Sequence, residues 1–415
     1  MSMRMNITLA ILIVWGTHLC AQVPSVFLLT TDTAWRSKSM MALVSGDAGI
    51  ASNAVDVSFM EKSLLGGHLL RDNLEGLRED MPELARIGYQ ANAQLELLNF
   101  RDTLFGKPQL GFRASFSTNY AGYIAFRPQA FETVYLGNAQ SRSQTEALGP
   151  LDFQNQAWQK FGFGLFNKNT LSGVTLSLVE GQYFRNLQVD ELSLYTSAMA
   201  DTLTLDVVGS YERSDTTRSG WANGSGLGAC VDLDYNLELD EGKKVVSFSV
   251  RNLGFVYWNE SSEKYTMDNA VDWKGMDVSE WIAGEVDSIS MPEWRDSLET
   301  ERKQRSMMKP LPATFHLRYL HRWKENRFWE TGCVFAPNRA AVPLVYVGLT
   351  HQLAKNVWLS ERLNYGGYGG FSMGAEVQWL TAKSWFVRAG STQLEGWILP
   401  MAGGRSVYLN MGKNF

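Results

Sequence analysis

Residues 227–238 read Leu-Gly-Ala-Cys-Val-Asp-Leu-Asp-Tyr-Asn-Leu-Glu. In an extended chain, successive side chains point to opposite faces. Leu227, Ala229, Val231, Leu233, Tyr235 and Leu237 therefore share one face. Gly228, Cys230, Asp232, Asp234, Asn236 and Glu238 share the other. One face is apolar, the other polar or charged, which is the period-two signature of a strand between two unlike environments.

The pattern recurs along the chain. Phe371, Met373, Ala375, Val377 and Trp379 alternate with Ser372, Gly374, Glu376 and Gln378. Ala313, Phe315, Leu317 and Tyr319 alternate with Thr314, His316 and Arg318. Val246, Phe248 and Val250 alternate with Ser247, Ser249 and Arg251. The last run sets Val407, Leu409, Met411 and the terminal Phe415 on one face, with Tyr408, Asn410 and Gly412 on the other.

A soluble sandwich also alternates, but two features favour a membrane barrel. The runs last about 9–13 residues, enough to cross a bilayer at a tilt. The connections also alternate in length. Asn167-Lys168-Asn169, Asp240-Glu241-Gly242, Lys324-Glu325-Asn326, Ala354-Lys355-Asn356 and Thr381-Ala382-Lys383 read as tight turns; longer loops fall near 127–156, 213–224, 259–310 and 392–404. Short periplasmic turns and long outer loops are the asymmetry of outer-membrane barrels. Closure follows from solvation: in hydrocarbon an unpaired backbone N–H or C=O costs several kcal/mol, so strands cross only as a closed ring. The expected fold is all-β, a transmembrane antiparallel β-barrel of about 14 (up to 16) strands over residues 91–415. Val231, Leu233, Phe248, Phe315, Leu317, Val377 and Trp379 are expected on the lipid side, with Phe415 as the signal read by barrel-assembly machinery. Asp232, Asp234, Glu238, Arg251, His316, Arg318, Glu376 and Arg388 are the ligand or lumen candidates.

Three segments fall outside the strand rhythm. Residues 1–21 carry Arg4, a short apolar run from Ile7 to Trp15 and a small residue at Ala21, which reads as an export signal. Residues 22–90 include Ser45-Gly46-Asp47-Ala48-Gly49-Ile50-Ala51 and a helical-looking Asp72 to Arg86, and are expected to form a hatch or plug. Residues 260–310 hold 19 charged residues with Trp273, Trp281 and Trp294 among them, an outer loop with a short helix expected over 294–305.

Composition narrows the function. Of 415 residues, 45% are hydrophobic and 20% charged, with 38 basic against 43 acidic residues and no basic stripe, so a nucleic-acid partner is not expected. Mean hydropathy is −0.18, too low for a bundle of membrane helices. Five His and three Cys leave little for metal or thiol chemistry. No Gly-x-Ser-x-Gly elbow occurs, and Gly366-Gly367-Tyr368-Gly369-Gly370 lacks the Gly-Lys-Ser/Thr of a phosphate loop. His68, His321 and His351 have no metal-ligand spacing. No enzyme activity, metal or cofactor is expected. Once Cys20 is removed with the signal, Cys230 and Cys333 remain, read as two free thiols.

Several short motifs, in order, carry a resemblance. Ser39-Met40-Met41-Ala42-Leu43 ahead of Gly46-Asp47-Ala48-Gly49-Ile50-Ala51 resembles the mature N-terminus of FadL/PorV-like outer-membrane barrels. Leu64-Leu65-Gly66-Gly67, Tyr135-Leu136-Gly137-Asn138, Phe161-Gly162-Phe163-Gly164, Leu178-Val179-Glu180-Gly181-Gln182, Leu194-Tyr195-Thr196 and Arg251-Asn252-Leu253-Gly254-Phe255 resemble, more closely, an uncharacterised family of Bacteroidota outer-membrane proteins. Asn53-Ala54-Val55 stands where the broad group has Asn-Pro-Ala. The resemblance implies a 14-stranded barrel in the cell outer membrane, in contact with its lipid, with an N-terminal segment entering the lumen. It further implies a passive conduit or binding barrel for small, hydrophobic molecules. The other reading it implies is a plugged, PorV-like barrel that partners a type IX secretion component.

Overall fold

The computed structural model describes residues 39–101, 103–139, 141–218, 224–273, 301–381 and 385–415. The expected export signal, Trp281 and Trp294 lie outside them. Among the described residues, nineteen strands and four helices follow in chain order: β1 (Met40–Ser52), α1 (Val57–Leu65), α2 (Arg71–Glu79), β2 (Ala85–Asn99), β3 (Leu110–Phe126), α3 (Pro128–Tyr135), β4 (Gln144–Ala147), β5 (Leu151–Asn167), β6 (Gly173–Thr196) and β7 (Leu203–Arg213). Then come β8 (Gly226–Leu239), β9 (Lys244–Trp258), β10 (Glu263–Trp273), β11 (Glu301–Gln304), β12 (Met307–Pro310), β13 (Thr314–Lys324), β14 (Arg327–Phe335), β15 (Val342–Ala354), β16 (Val357–Gly367), β17 (Gly370–Leu380), β18 (Trp385–Ser391), α4 (Glu395–Ile398) and β19 (Gly404–Asn414).

Fourteen of these strands form one antiparallel ring. The order is β1, β2, β3, β5, β6, β8, β9, β13 to β19, and back to β1. Closure is the pairing of the first and last strands, from Met41 with Asn414 to Ala51 with Gly404. Phe415 completes the seam: its carbonyl accepts from the Ser39 N–H at 3.1 Å and its N–H donates to Met40 at 2.9 Å.

The ring order fixes two ends. At one end the connections are short, as at Asp240–Gly242 and Glu325–Asn326; both chain ends of the ring lie there too. At the other end lie α1 to α4 and the long excursions. The extra strands counted from sequence belong to those excursions. The far half of β6 leaves the ring and pairs with β7, β7 with β10, and β10 with β11, while β4 flanks the end of β6. A second sheet thus stands beyond the barrel. Residues 301–304, expected as part of a helix, are strand in this sheet.

The hatch expectation requires correction. Residues 40–52 are a wall strand, hydrogen-bonded on both edges, and residues 85–90 open the second wall strand. The cause is local: Gly46, Ala48, Gly49 and Ala51 blur the alternation, because small residues carry little polarity. Residues 57–79 form α1 and α2, which pack with α3 on the far end of β1 and β2. Val57, Phe59, Met60, Leu74 and Phe131 cluster there with Ala48 and Ile50. Asp56 caps α1 through a 2.7 Å bond to the Phe59 N–H.

The outer surface is apolar where strand faces point away from the lumen. Leu317, Val377 and Trp379 are 53, 45 and 52% exposed. Val231, Leu233, Phe248 and Phe315 share their face by register: Leu233 pairs with Val250 and Val250 with Phe315, while Phe248 lies between Tyr235 and Leu317. Cys230 points inward and Cys333, paired with Leu317, points outward, so both are free thiols.

Candidate functional site

The inward face carries two systems of ion pairs. The first runs across β2, β3, β5, β8 and β9. Arg113 reaches Glu96 at 2.7 Å and Asp234 at 2.8 Å, and Arg251 holds the other oxygen of Asp234. Lys160 bonds Asp232 at 2.7 Å and the Asn252 side chain at 2.8 Å. A bulge makes this geometry. The β8–β9 register slips between Val231 and Leu233, Asn252 adopts a φ of 56°, and its N–H donates to Asp232 at 2.7 Å.

The second system runs from β13 to β19. Arg362 bonds Glu330 at 2.6 Å, with Arg318 on the same carboxylate at 3.9 Å. Arg362 and Arg388 flank Glu376 at 4.0 and 3.7 Å, and the Tyr408 hydroxyl donates to it at 2.5 Å. Arg318, Glu330, Arg362, Glu376 and Arg388 are all buried. Ion pairs at such depth bring little net stability but bind their members together, because losing one leaves another charge unpaired. His316 sits beside this system with its Nε2 at 2.8 Å from the Tyr346 hydroxyl.

Above Lys160 the interior turns apolar. Trp158, Val179, Phe184, Cys230, Val256, Trp258 and Leu311 form one buried cluster, with Phe184 and Trp258 stacked at 5.7 Å. Glycines make room for it: a Cβ on Gly181 would lie 2.7 Å from Trp258.

Between charged belt and apolar cluster lies a cavity of about 590 Å³. That is within the size range of small-molecule sites, roughly 300–1,000 Å³. Its outer side is crossed by the loop joining β14 to β15. From that loop Arg339 reaches Asp152 on β5 at 3.5 Å, the Ala340 carbonyl accepts from Arg86 at 3.3 Å, and Asn338 donates to the Tyr368 hydroxyl at 2.9 Å. Tyr368 in turn stacks on Tyr123 and covers Gly88, where a Cβ would lie 2.1 Å from its ring.

Of the eight lumen candidates from sequence, Asp232, Asp234, Arg251, His316, Arg318 and Arg388 line this cavity. Glu376 lies behind it in the second ion-pair system. Glu238 is brought to neither: it is exposed near the turn into β9. Arg113, Lys160, Glu330 and Arg362 escaped sequence reading, and Tyr408 was placed on the polar face without being named a candidate. Strand parity would have placed them inward, but their partners are distant in sequence. Among the described residues, no group of three or more His, Cys, Asp or Glu is arranged to hold a metal.

An apolar exterior around a polar, ion-paired interior is the arrangement of a closed membrane-type β-barrel. Within that class, the chain belongs to the family of unknown function DUF5723, whose model matches residues 77–382. No curated protein matches it. Among solved structures it is similar to the Pseudomonas putida toluene transporter TodX, at 9% identity with 96% of each chain covered and a TM-score of 0.41. A Pseudomonas aeruginosa FadL homologue gives 10% identity, 96% of each chain and a TM-score of 0.40. The translocator domain of the autotransporter NalP from Neisseria meningitidis gives 8% identity, 91 and 89% coverage and a TM-score of 0.33. Likenesses this distant say nothing about what this chain binds; the barrel rests on the strand pairing itself.

Proposed function

We propose that this protein is an outer-membrane barrel that binds small amphipathic molecules in its lumen and passes them across. The observation that carries this reading is the 590 Å³ cavity, bounded by the apolar Trp158–Trp258 cluster on one side and hydrogen-bonding groups on the other. A molecule with an apolar part and a polar part satisfies both surfaces, whereas a purely apolar one leaves buried polar groups without partners, at a cost of about 1–3 kcal/mol each. The apolar outer band supports a bilayer location, since such a surface in water is an aggregation liability.

The test is thermal unfolding of the purified protein against a small-molecule panel that includes amphipathic, charged and purely apolar members. A ligand that binds only the folded state raises the midpoint. The reading expects at least one amphipathic molecule to do so, and Ser115→Trp, which fills the cavity, to abolish the shift. Unchanged midpoints for the whole panel, or equal shifts in the filled variant, overturn it.

A second reading is favoured by the sheet of β7, β10 and β11 beyond the barrel. It supplies a surface on which a type IX secretion component or other surface assembly would dock. Cross-linking in native membranes, followed by loss of a stoichiometric partner on deletion of residues 260–310, tests this.

A further inference from the structure

We infer that the polar end of the lumen ligand is an uncharged, hydroxyl-bearing group of the sugar class, held by a neutral patch formed by Gln378, Asn410, Ser45 and Gln94. The inference rests on the small-molecule reading above and names its substrate class.

The strand register builds the patch. Gln378 pairs with Arg388, Arg388 with Asn410, Asn410 with Ser45, Ser45 with Gln94 and Gln94 with Ser117. These residues therefore form one row around the inner wall, on β17, β18, β19, β1, β2 and β3. The next row inward of the apolar cluster places Tyr408, Asp47, Asn92 and Asn119 beside it. Gln378, Asn410 and Gln94 all line the cavity.

Two facts separate this sector from the rest of the lumen. First, the cations lining the cavity face carboxylates already fixed in the wall: Arg113 and Arg251 pair with Asp234 and Lys160 with Asp232, while Arg318 faces Glu330 and Arg388, inside the row itself, faces Glu376 at 3.7 Å. An anionic ligand would have to displace a carboxylate that is fixed in the wall. Second, the hydrogen-bonding capacity of the amides in this sector is only partly used. Asn92 donates to Asn119, Asn119 to Ser117 and Gln90 to Asp47. The side-chain amide of Gln378 is 94% buried as a residue, lines the cavity and has no hydrogen bond to another described residue.

The chemistry of an amide selects the partner. Each Gln or Asn presents an acceptor oxygen and a two-proton donor side by side. A hydroxyl both donates and accepts, so adjacent hydroxyls on a sugar ring match adjacent amides. A carboxylate only accepts and would leave the amide oxygens facing it. The apolar cluster above the patch then accommodates a non-sugar substituent, so the fitting molecule is a glycoside with an apolar aglycone.

The experiment is calorimetric titration of the full-length purified protein with four probes: phenyl glucoside, glucose, benzoate and toluene. Phenyl glucoside is expected to bind most tightly. Gln94→Leu combined with Asn410→Leu is expected to weaken it at least tenfold while leaving the folded, heat-modifiable barrel on gels. Gln378→Glu, which retains size but adds charge, gives a second variant expected to weaken glucoside binding if the double variant misfolds. Benzoate or toluene binding as tightly as phenyl glucoside overturns the inference while leaving the small-molecule reading intact. Glucoside affinity unchanged in the folded variants also overturns it. No heat from any probe, together with an unresponsive thermal panel, removes the small-molecule reading itself.

Discussion

Arg339 lies 3.5 Å from Asp152, although one sits on the loop after β14 and the other on β5, five strands away around the ring. The pair ties a strap across the outer mouth of the lumen. The same loop is anchored at Arg86 through Ala340 and at Tyr368 through Asn338. Arg339 is more than half exposed, so its ion pair is worth about 0–1 kcal/mol and is weakened by salt.

Removing this one anchor of the strap is therefore cheap. Arg339→Ala is expected to leave stability within about 1 kcal/mol of the parent and to raise solute flux through reconstituted protein several-fold. Gly88→Ala is expected to act more strongly, since its Cβ would lie 2.1 Å from the Tyr368 ring that the strap holds. Flux at the parental rate in both variants would refute the strap as a closure.

The charged systems give the sharpest stability prediction. Glu330 serves both Arg362 and Arg318, and all three are buried. Glu330→Gln leaves Arg318 without its counter-charge and Arg362 with only Glu376 at 4.0 Å, and should cost about 3–5 kcal/mol, read as a lower midpoint for denaturant unfolding. An unchanged midpoint contradicts the ion-pair geometry.

The facing of the strands is testable by charge insertion. Trp379→Arg, on the outer face, is expected to cost about 2–4 kcal/mol at mid-bilayer and less toward the interface. Ser249→Arg puts the same charge on the inner face beside Asp234, its register partner, and should assemble nearly normally. Equal assembly yields for the two, measured by heat-modifiability, would undo the register.

The outer sheet responds to acid. Burial opposes ionisation of Glu263, but bonds from Tyr265, Arg302 and Arg213 outweigh it and hold the carboxyl down at about 2. A group whose folded pKa is depressed stabilises above its unfolded pKa, near 4.3, and loses that contribution as pH falls through its folded value. Protease protection of residues 263–273 and 301–304 is therefore expected to hold at pH 5 and decline between about pH 4 and pH 2. In Glu263→Gln the decline should disappear, with lower protection throughout.

Much of the wall was legible because lipid and lumen impose opposite demands on alternate residues, and runs such as 227–238 and 371–379 obey both. β1 was not, because Ser45 to Ala51 is nearly all small residues and its far outer face meets α1 rather than lipid. The outer sheet was hidden by the length of β6: its 24 residues serve two sheets in one unbroken strand. Candidates such as Asp232 and Asp234 were visible as charges on a polar face. Their partners Lys160 and Arg113 were not, since Lys160 and Asp232 are 72 residues apart and meet only through ring order. The amide row is the same kind of feature, written in register across six strands rather than along one.

The central claim is that solutes reach and cross the membrane through this lumen. The direct measurement is osmotic swelling of liposomes carrying the protein, with small uncharged solutes, for Arg339→Ala alone and combined with Ser115→Trp. The account predicts swelling with the released strap and its loss when the cavity is filled. Absence of swelling in the released variant, or swelling that persists with the cavity filled, would contradict it.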